Sequence, residues 1–189
     1  MENKELIFIC GGARSGKSTF AEQIAMKQAQ EKRKRLHYIA TSRPTDAEMK
    51  HRVRLHQQQR AQSGADWKTW ECPMDLDQIA SAFQSTDIVL LDCLTILLSN
   101  ELFAQNDDEA PVTTSQIIFN ILHGIKMITK KAGMFIIVSN EVLYESVLDN
   151  SIVQTYQEIL GQLHQEIVKV ATKAYAVEAG IPVLMKGDT

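Results

Sequence analysis

Residues 11 to 18 read Gly11-Gly12-Ala13-Arg14-Ser15-Gly16-Lys17-Ser18, a complete G-x-x-x-x-G-K-[ST] pattern placed directly after the apolar run Leu6-Ile7-Phe8-Ile9-Cys10. A tight loop between a buried strand and a helix aims several backbone N–H groups into one concavity, where the positive end of the helix reinforces them. That arrangement holds the phosphates of a nucleotide. Gly11 and Gly16 allow backbone angles and a close approach that a Cβ would block, Lys17 reaches the outer phosphates, and the Ser18 hydroxyl offers a ligand to Mg²⁺.

A second candidate lies in Asp87-Ile88-Val89-Leu90-Leu91-Asp92, where apolar residues run between two acids. This is the form of a buried strand delivering a carboxylate at its C-terminal end, so Asp92 is a candidate Mg²⁺ ligand, directly or through water. The same residue also suits the N-cap of a helix starting near Thr95. A third feature is the polar stretch 46–60, in which spacing by four sets Glu48, Arg52, His56 and Arg60 along one helix face. Arginines on both sides disfavour the imidazolium form of His56 and leave neutral nitrogen available as a nucleophile. They could equally grip a phosphate oxygen, and a solvated polar face with an idle histidine fits the same residues.

The elements that must position these groups follow from periodicity. Short apolar runs predict strands over 6–10, 36–40, 87–92 and 134–139, and helical patterns cover 18–32, 46–62, 75–83, 95–103, 114–132 and 152–170. Strands alternating with helices indicate a parallel sheet covered on both faces. Residues 174–178 and 181–185, joined at Ala179-Gly180, read as an antiparallel pair added at one edge. Ligands of such sheets gather at the carboxyl ends of the strands, which brings Gly11, Thr41-Ser42, Asp92 and Ser139-Asn140-Glu141 around one crevice. The acidic segment 105–111 reads as a surface loop, and Lys32-Arg33-Lys34-Arg35 as a solvated helix end.

Composition bounds the rest. The 189 residues are 44% hydrophobic and 23% charged, which suits a single globular domain over 1–189. A net charge of −3 argues against a nucleic-acid partner, which would need a clustered basic surface. The charged opening residues lack a signal-peptide core, and the longest apolar stretch, 88–98, is interrupted by Asp92 and too short to span a membrane, so the expected location is the cytoplasm. Cys10, Cys72 and Cys93 lack metal-ligand spacing and read as free, small buried residues.

The ordered set of residues 11–18, Tyr38-Ile39-Ala40-Thr41-Ser42, Glu48-Met49 with Arg52, His56 and Arg60, Trp67-Lys68-Thr69-Trp70-Glu71, and Ser139-Asn140-Glu141-Val142 resembles the bifunctional adenosylcobinamide kinase/adenosylcobinamide-phosphate guanylyltransferase family of cobalamin biosynthesis. The resemblance implies a three-layer α/β fold of the P-loop NTPase, RecA-like type, with a mostly parallel sheet and antiparallel C-terminal edge strands, assembled as a homotrimer. It implies Mg²⁺ as cofactor, ATP and GTP as substrates, and adenosylcobinamide as the small-molecule partner. The kinase step would phosphorylate the hydroxyl of the aminopropanol arm, and GMP would then pass from GTP through a guanylylated histidine to that phosphate. His56 occupies the position of that histidine, with Lys17 as its catalytic companion at the phosphates. The implied nucleotide contacts are Gly11, Gly12, Ala13, Arg14, Ser15, Gly16, Lys17, Ser18, Ala40, Thr41, Ser42, Gln57, Gln58, Gln59, Arg60, Glu71 and Asp92, with Ser18 and Asp92 on the metal. Glu141 is the candidate base for the corrinoid hydroxyl.

The chain departs from the family pattern after Asn-Glu-Val. A Gly-x-Gly-Ile-Val-Pro stretch is replaced by Leu143-Tyr144-Glu145-Ser146-Val147-Leu148, and an arginine and an asparagine of the following helix appear as Gln154 and His164. Two other functions fit the phosphate loop alone: a P-loop small-molecule kinase without a covalent intermediate, and a nucleotide-binding regulatory protein without turnover.

Overall fold

Alternation along the first strand sets the architecture. Leu6 and Phe8 are buried on one face of the sheet and Ile7 and Ile9 on the other, so this strand must be covered on both sides. The computed structural model describes residues 4–43, 58, 60, 63–103, 112–141 and 151–188. In chain order the elements are β1 (Glu5–Gly11), α1 (Lys17–Lys32), β2 (Arg35–Ala40), β3 (Trp67–Glu71), α2 (Asp77–Ala80), β4 (Asp87–Asp92), α3 (Leu94–Phe103), α4 (Thr114–Lys131), β5 (Met134–Asn140), α5 (Ser151–Val170), β6 (Lys173–Glu178) and β7 (Ile181–Lys186).

The strands form one sheet in the order β3-β2-β4-β5-β1-β6-β7, parallel throughout except for the antiparallel β6–β7 pair. The expected α/β class and the antiparallel C-terminal edge are both present. Ala21, Ala25 and Ala29 of α1 meet Ile7, Ile9, Leu36, Ile88 and Ile136 on one face. Their spacing by four and their small size let the helix axis lie close to the strands. The other face is covered by α2 to α5, whose Leu97, Ile121, Ile125, Leu160 and Leu163 pack on Phe8, Leu91, Phe135 and Ile137.

Termini of the helices are chemically set. Thr113 caps α4 by accepting from Gln116 N at 3.2 Å, and Lys186 Nζ donates to the Val168 and Lys169 carbonyls at the end of α5.

Several sequence expectations change. Trp67–Glu71 is a strand where none was expected. It lies at the sheet edge with only β2 beside it, and its partly and fully exposed side chains lack the burial contrast that marks inner strands. The helix expected over 75–83 shrinks to Asp77–Ala80: at its start Asp75 adopts a left-handed φ of 53° that a helix interior excludes, and at its end Ala82 N and Phe83 N bond the carbonyls three residues back in turns. Arg33 ends α1 in the left-handed region, while Arg35, expected in a solvated helix end, is instead the first residue of β2. There its Nε donates to Asp87 Oδ1 at 2.7 Å. Of the helix expected over 46–62, Gln58 and Arg60 are helical and the other residues lie outside the described ones, as does the acidic segment 105–111.

Asp87 is fully buried at the start of β4, where its other oxygen accepts from Gln84 N at 2.8 Å. Asp87→Ala removes both bonds and should lower stability by about 2 kcal/mol in urea denaturation, the scale of hydrogen bonds to a charged group. Asp87→Asn keeps one acceptor and should recover part of that loss.

Candidate nucleotide site

Parallel pairing brings the carboxyl ends of five strands to one edge. Gly11 of β1 lies beside Asn140 of β5, and Ala40 of β2 lies between Glu71 of β3 and Asp92 of β4. The strand that sequence reading missed therefore carries one of the implied contacts, Glu71, to the same edge as the rest.

The phosphate loop is seated from behind by the β6–β7 turn. A Cβ at Gly11 would collide with the Val177 carbonyl oxygen and stand 2.8 Å from Ser15 Oγ. Gly180 N donates to Ser15 O at 2.8 Å, and Gly16, at φ 91°, faces Gly180 Cα. Gly16 is also the N-cap of α1 and supplies no side-chain cap, so the first helical N–H groups are left to an anion. Ser15 Oγ is buried without a hydrogen-bond partner, an orphan that a ligand oxygen would satisfy. Ala13 and Arg14 are exposed at the tip of the loop.

Lys17 is buried at the first position of α1, and its Nζ donates to Gly12 O at 2.9 Å. Burial lowers its pKa, while the Asp92 carboxylate works in the opposite direction. Ser18 follows at the second helical position, half-buried. A serine hydroxyl and a half-buried carboxylate beside a phosphate loop are hard oxygen donors of the kind Mg²⁺ takes together with substrate phosphates, so these residues fit the ion.

Asp92 is not a helix cap. Its Oδ2 accepts from the Tyr38 hydroxyl at 3.1 Å, and the Arg60 guanidinium lies 3.6 Å from the centre of the Tyr38 ring. Arg60 is buried, with Nη1 3.5 Å from Glu22 Oε1 of α1. Thr41 is fully buried, and its hydroxyl donates to Cys93 O and accepts from Cys93 N. Its side chain clasps the end of β2 to the end of β4. Asn100 of α3 donates to the carbonyls of Thr41 and Pro73, at 2.8 and 2.9 Å, and so fixes the exits of β2 and β3 together.

Ala40 and Ser42 flank that clasp and are half-buried, Gln58 and Glu71 are exposed, and Glu141 N donates to Gly11 O at 3.0 Å, which holds its exposed residue against the loop. His56, Gln57 and Gln59 lie outside the described residues. The cysteines are free, and burial pushes the Cys72 and Cys93 thiols up to about 11. A separate cleft of about 750 Å³, with Arg35, His37 and Lys68 in its walls, opens at the amino ends of β2 and β3, on the edge opposite Lys17 and Asp92. Built loop geometry rather than cavity size marks the site. Sequence reading assigned no role to Tyr38 or Asn100; the signal available for Tyr38 was a phenol within an otherwise apolar strand.

The chain matches the sequence pattern of the family described as cobinamide kinase/cobinamide phosphate guanyltransferase over residues 7–185. It is 32% identical over 188 residues to the bifunctional adenosylcobalamin biosynthesis protein CobU of Salmonella typhimurium, with 96% of this chain and 99% of the relative covered. Identity to the bifunctional adenosylcobalamin biosynthesis protein CobP of Pseudomonas aeruginosa is 32% over 181 residues, covering 95% and 96%. Among solved structures it is similar to the flagellar accessory protein FlaH from Methanocaldococcus jannaschii, with TM-score 0.53, 17% identity, and 100% of this chain and 80% of that one covered. A KaiC-like protein from Pyrococcus horikoshii gives TM-score 0.50 at 11% identity, covering 92% and 70%. At these identities the two structures speak for the fold alone.

The altered segment 143–148 lies outside the described residues, Gln154 is exposed on α5, and His164 turns inward. Its Nε2 meets Ser139 Oγ at 2.7 Å and its ring packs edge-on against Phe8. Burial lowers its pKa from 6.5 to about 4. With the folded value below the unfolded one, the unfolded chain takes up the proton first as the pH falls. The stability held above about pH 6.5 is therefore lost as the pH drops toward about 4. His164→Gln keeps a partner for Ser139 without titrating, so its urea midpoint should fall less than the parent's between those values. His37 is buried and shifted in the same direction, which leaves part of the slope in place.

Proposed function

The chain belongs to the cobinamide kinase/cobinamide phosphate guanyltransferase family and carries out its two transfers in cobalamin biosynthesis, and we propose that both run at the crevice around residues 11–18. The observation that carries this reading is the phosphate loop with buried Lys17 and orphaned Ser15 Oγ beside Asp92. In the kinase step the γ-phosphoryl group of ATP or GTP passes to the hydroxyl on the aminopropanol arm of adenosylcobinamide. The new O–P bond forms as the bond to the β-phosphate oxygen breaks, and the hydroxyl proton goes to Glu141. Loop N–H groups and Lys17 hold the phosphates, while Ser18 and Asp92 hold Mg²⁺, which when bound neutralises charge on them.

In the second step a ring nitrogen of His56 attacks the α-phosphorus of GTP. The P–N bond forms and pyrophosphate leaves. A phosphate oxygen of adenosylcobinamide phosphate then attacks the same phosphorus, the P–N bond breaks, and adenosylcobinamide-GDP is released with His56 restored. Gly11 to Ser18, Ala40 to Ser42, Gln57 to Arg60, Glu71 and Asp92 form the nucleotide surround in this reading. For Thr41 the contribution is the clasp on Cys93, which sets the backbone of Ala40 and Ser42.

We further propose that residues 1–189 act as one transferase domain in the cytoplasm and that the working form is a homotrimer. No helix among the described residues is long and apolar enough to cross a membrane. The resemblance supplies the trimer, and Ile181, Val183 and Met185 supply an exposed apolar row on β7, next to the turn that seats the phosphate loop. Light scattering should give a mass of three chains; a monomer at micromolar concentration would refute the assembly.

Intact mass after incubation with GTP and Mg²⁺ tests the chemistry. The parent protein should gain a single GMP-sized adduct and His56→Ala none. Lys17→Ala should lower both the adduct rate and phosphorylation of adenosylcobinamide by at least about a hundredfold, on the scale of one lost electrostatic donor. An adduct on His56→Ala would exclude His56 as the carrier, and none on a parent protein that binds GTP would exclude the covalent step.

A further inference from the structure

Tyr38 lies outside the phosphate loop, yet it touches both halves of the proposed chemistry. It is 5% exposed, and in β2 it pairs with Leu90 of β4, two residues before Asp92. From there its hydroxyl reaches the strand end and donates to Asp92 Oδ2 at 3.1 Å. The face of the same ring carries the Arg60 guanidinium at 3.6 Å. Arg60 stands four residues after His56 in the sequence and is itself helical.

We propose that Tyr38 is the positioning residue that ties the Mg²⁺-binding carboxylate to the histidine segment. The proposal rests on the reading of Asp92 and His56 given above. A buried phenol is costly unless its O–H is bonded, and here the bond goes to one specific carboxylate oxygen, Asp92 Oδ2, and leaves the other free of the phenol. A buried guanidinium is costly unless something replaces its water, and here the ring face does so together with Glu22. The three groups form a chain, with the cation on the ring face and the anion at the hydroxyl, in which each polarises the next. Withdrawing the ring would strand Arg60 and release Asp92 in one stroke. Burial and the neighbouring Asp92 carboxylate raise the phenol well above its usual range, so it stays a neutral donor throughout the working pH range.

Two substitutions separate the contacts. Tyr38→Phe keeps the ring under Arg60 and removes only the donor to Asp92, whereas Tyr38→Leu removes both. The readouts are GTP binding by calorimetry over a series of Mg²⁺ concentrations and the rate of the GMP adduct by intact mass. For Tyr38→Phe the Mg²⁺ concentration that half-supports GTP binding should rise by about tenfold, the effect of one lost hydrogen bond to a charged group, with a much smaller fall in the adduct rate at saturating Mg²⁺. Tyr38→Leu should show the same Mg²⁺ shift plus an adduct rate lowered at least about tenfold that Mg²⁺ does not restore. An unchanged Mg²⁺ dependence in Tyr38→Phe overturns the proposal, as does GTP binding that ignores Mg²⁺ in the parent. If Tyr38→Leu does not fold, the Phe variant, which keeps the ring packing, decides alone. A parent protein without an adduct refutes the histidine step, and the Mg²⁺ titration still reads the Tyr38–Asp92 bond.

Discussion

Gly11 lies so close to the carbonyl oxygen of Val177 that any side-chain carbon there would collide with it, and the position of the whole phosphate loop follows from that contact. The loop leaves β1 with its back against β6, is pinned again where Gly180 N meets Ser15 O, and can only enter α1 over Gly16. The N-terminal end of α1 is thereby set at the carboxyl end of β1, whose last residue pairs with Asn140 of β5. An antiparallel hairpin at the far end of the chain thus decides where the earliest part of the chain can hold a phosphate.

Around that fixed loop, the remaining strand ends are tied to one another by side chains that no ligand needs to touch. Thr41 joins β2 to β4 through both polar groups of Cys93, and Asn100 joins the exits of β2 and β3 through two carbonyls. Each uses buried polar groups that would be costly unpaired, so the ties are specific as well as strong. Preorganisation of this kind keeps hydrogen-bond donors in place before charge develops near them.

Much of this was legible in the sequence for a physical reason. Inner strands of a parallel sheet are buried on both faces and appear as continuous apolar runs, and the loop between β1 and α1 has a composition that few other structures need. Parallel topology then puts the strand ends together without further information, which is why Gly11, Asp92 and Glu141 could be grouped in advance. The edge strand Trp67–Glu71 lacked that signature because it is half in water. Asp75–Phe83 looked helical by periodicity, but a left-handed residue at its start and tighter turns at its end cut it short. The bond from Tyr38 to Asp92 spans 54 positions and depends on strand register, which composition does not encode. Nor could a list of residue types tell that the Thr41 hydroxyl is already engaged.

Lys17 holds a carbonyl of its own loop at 2.9 Å while buried. An entering phosphate oxygen therefore competes with an amide oxygen for this ammonium, which has already lost most of its hydration on folding. Selectivity arises from that competition. A terminal phosphate, with dense negative charge and several oxygens, outbids a neutral carbonyl, whereas a weakly basic anion gains little by the exchange. The carbonyl of Gly12 thus acts as an internal stand-in that keeps the ammonium in place until a phosphate oxygen displaces it.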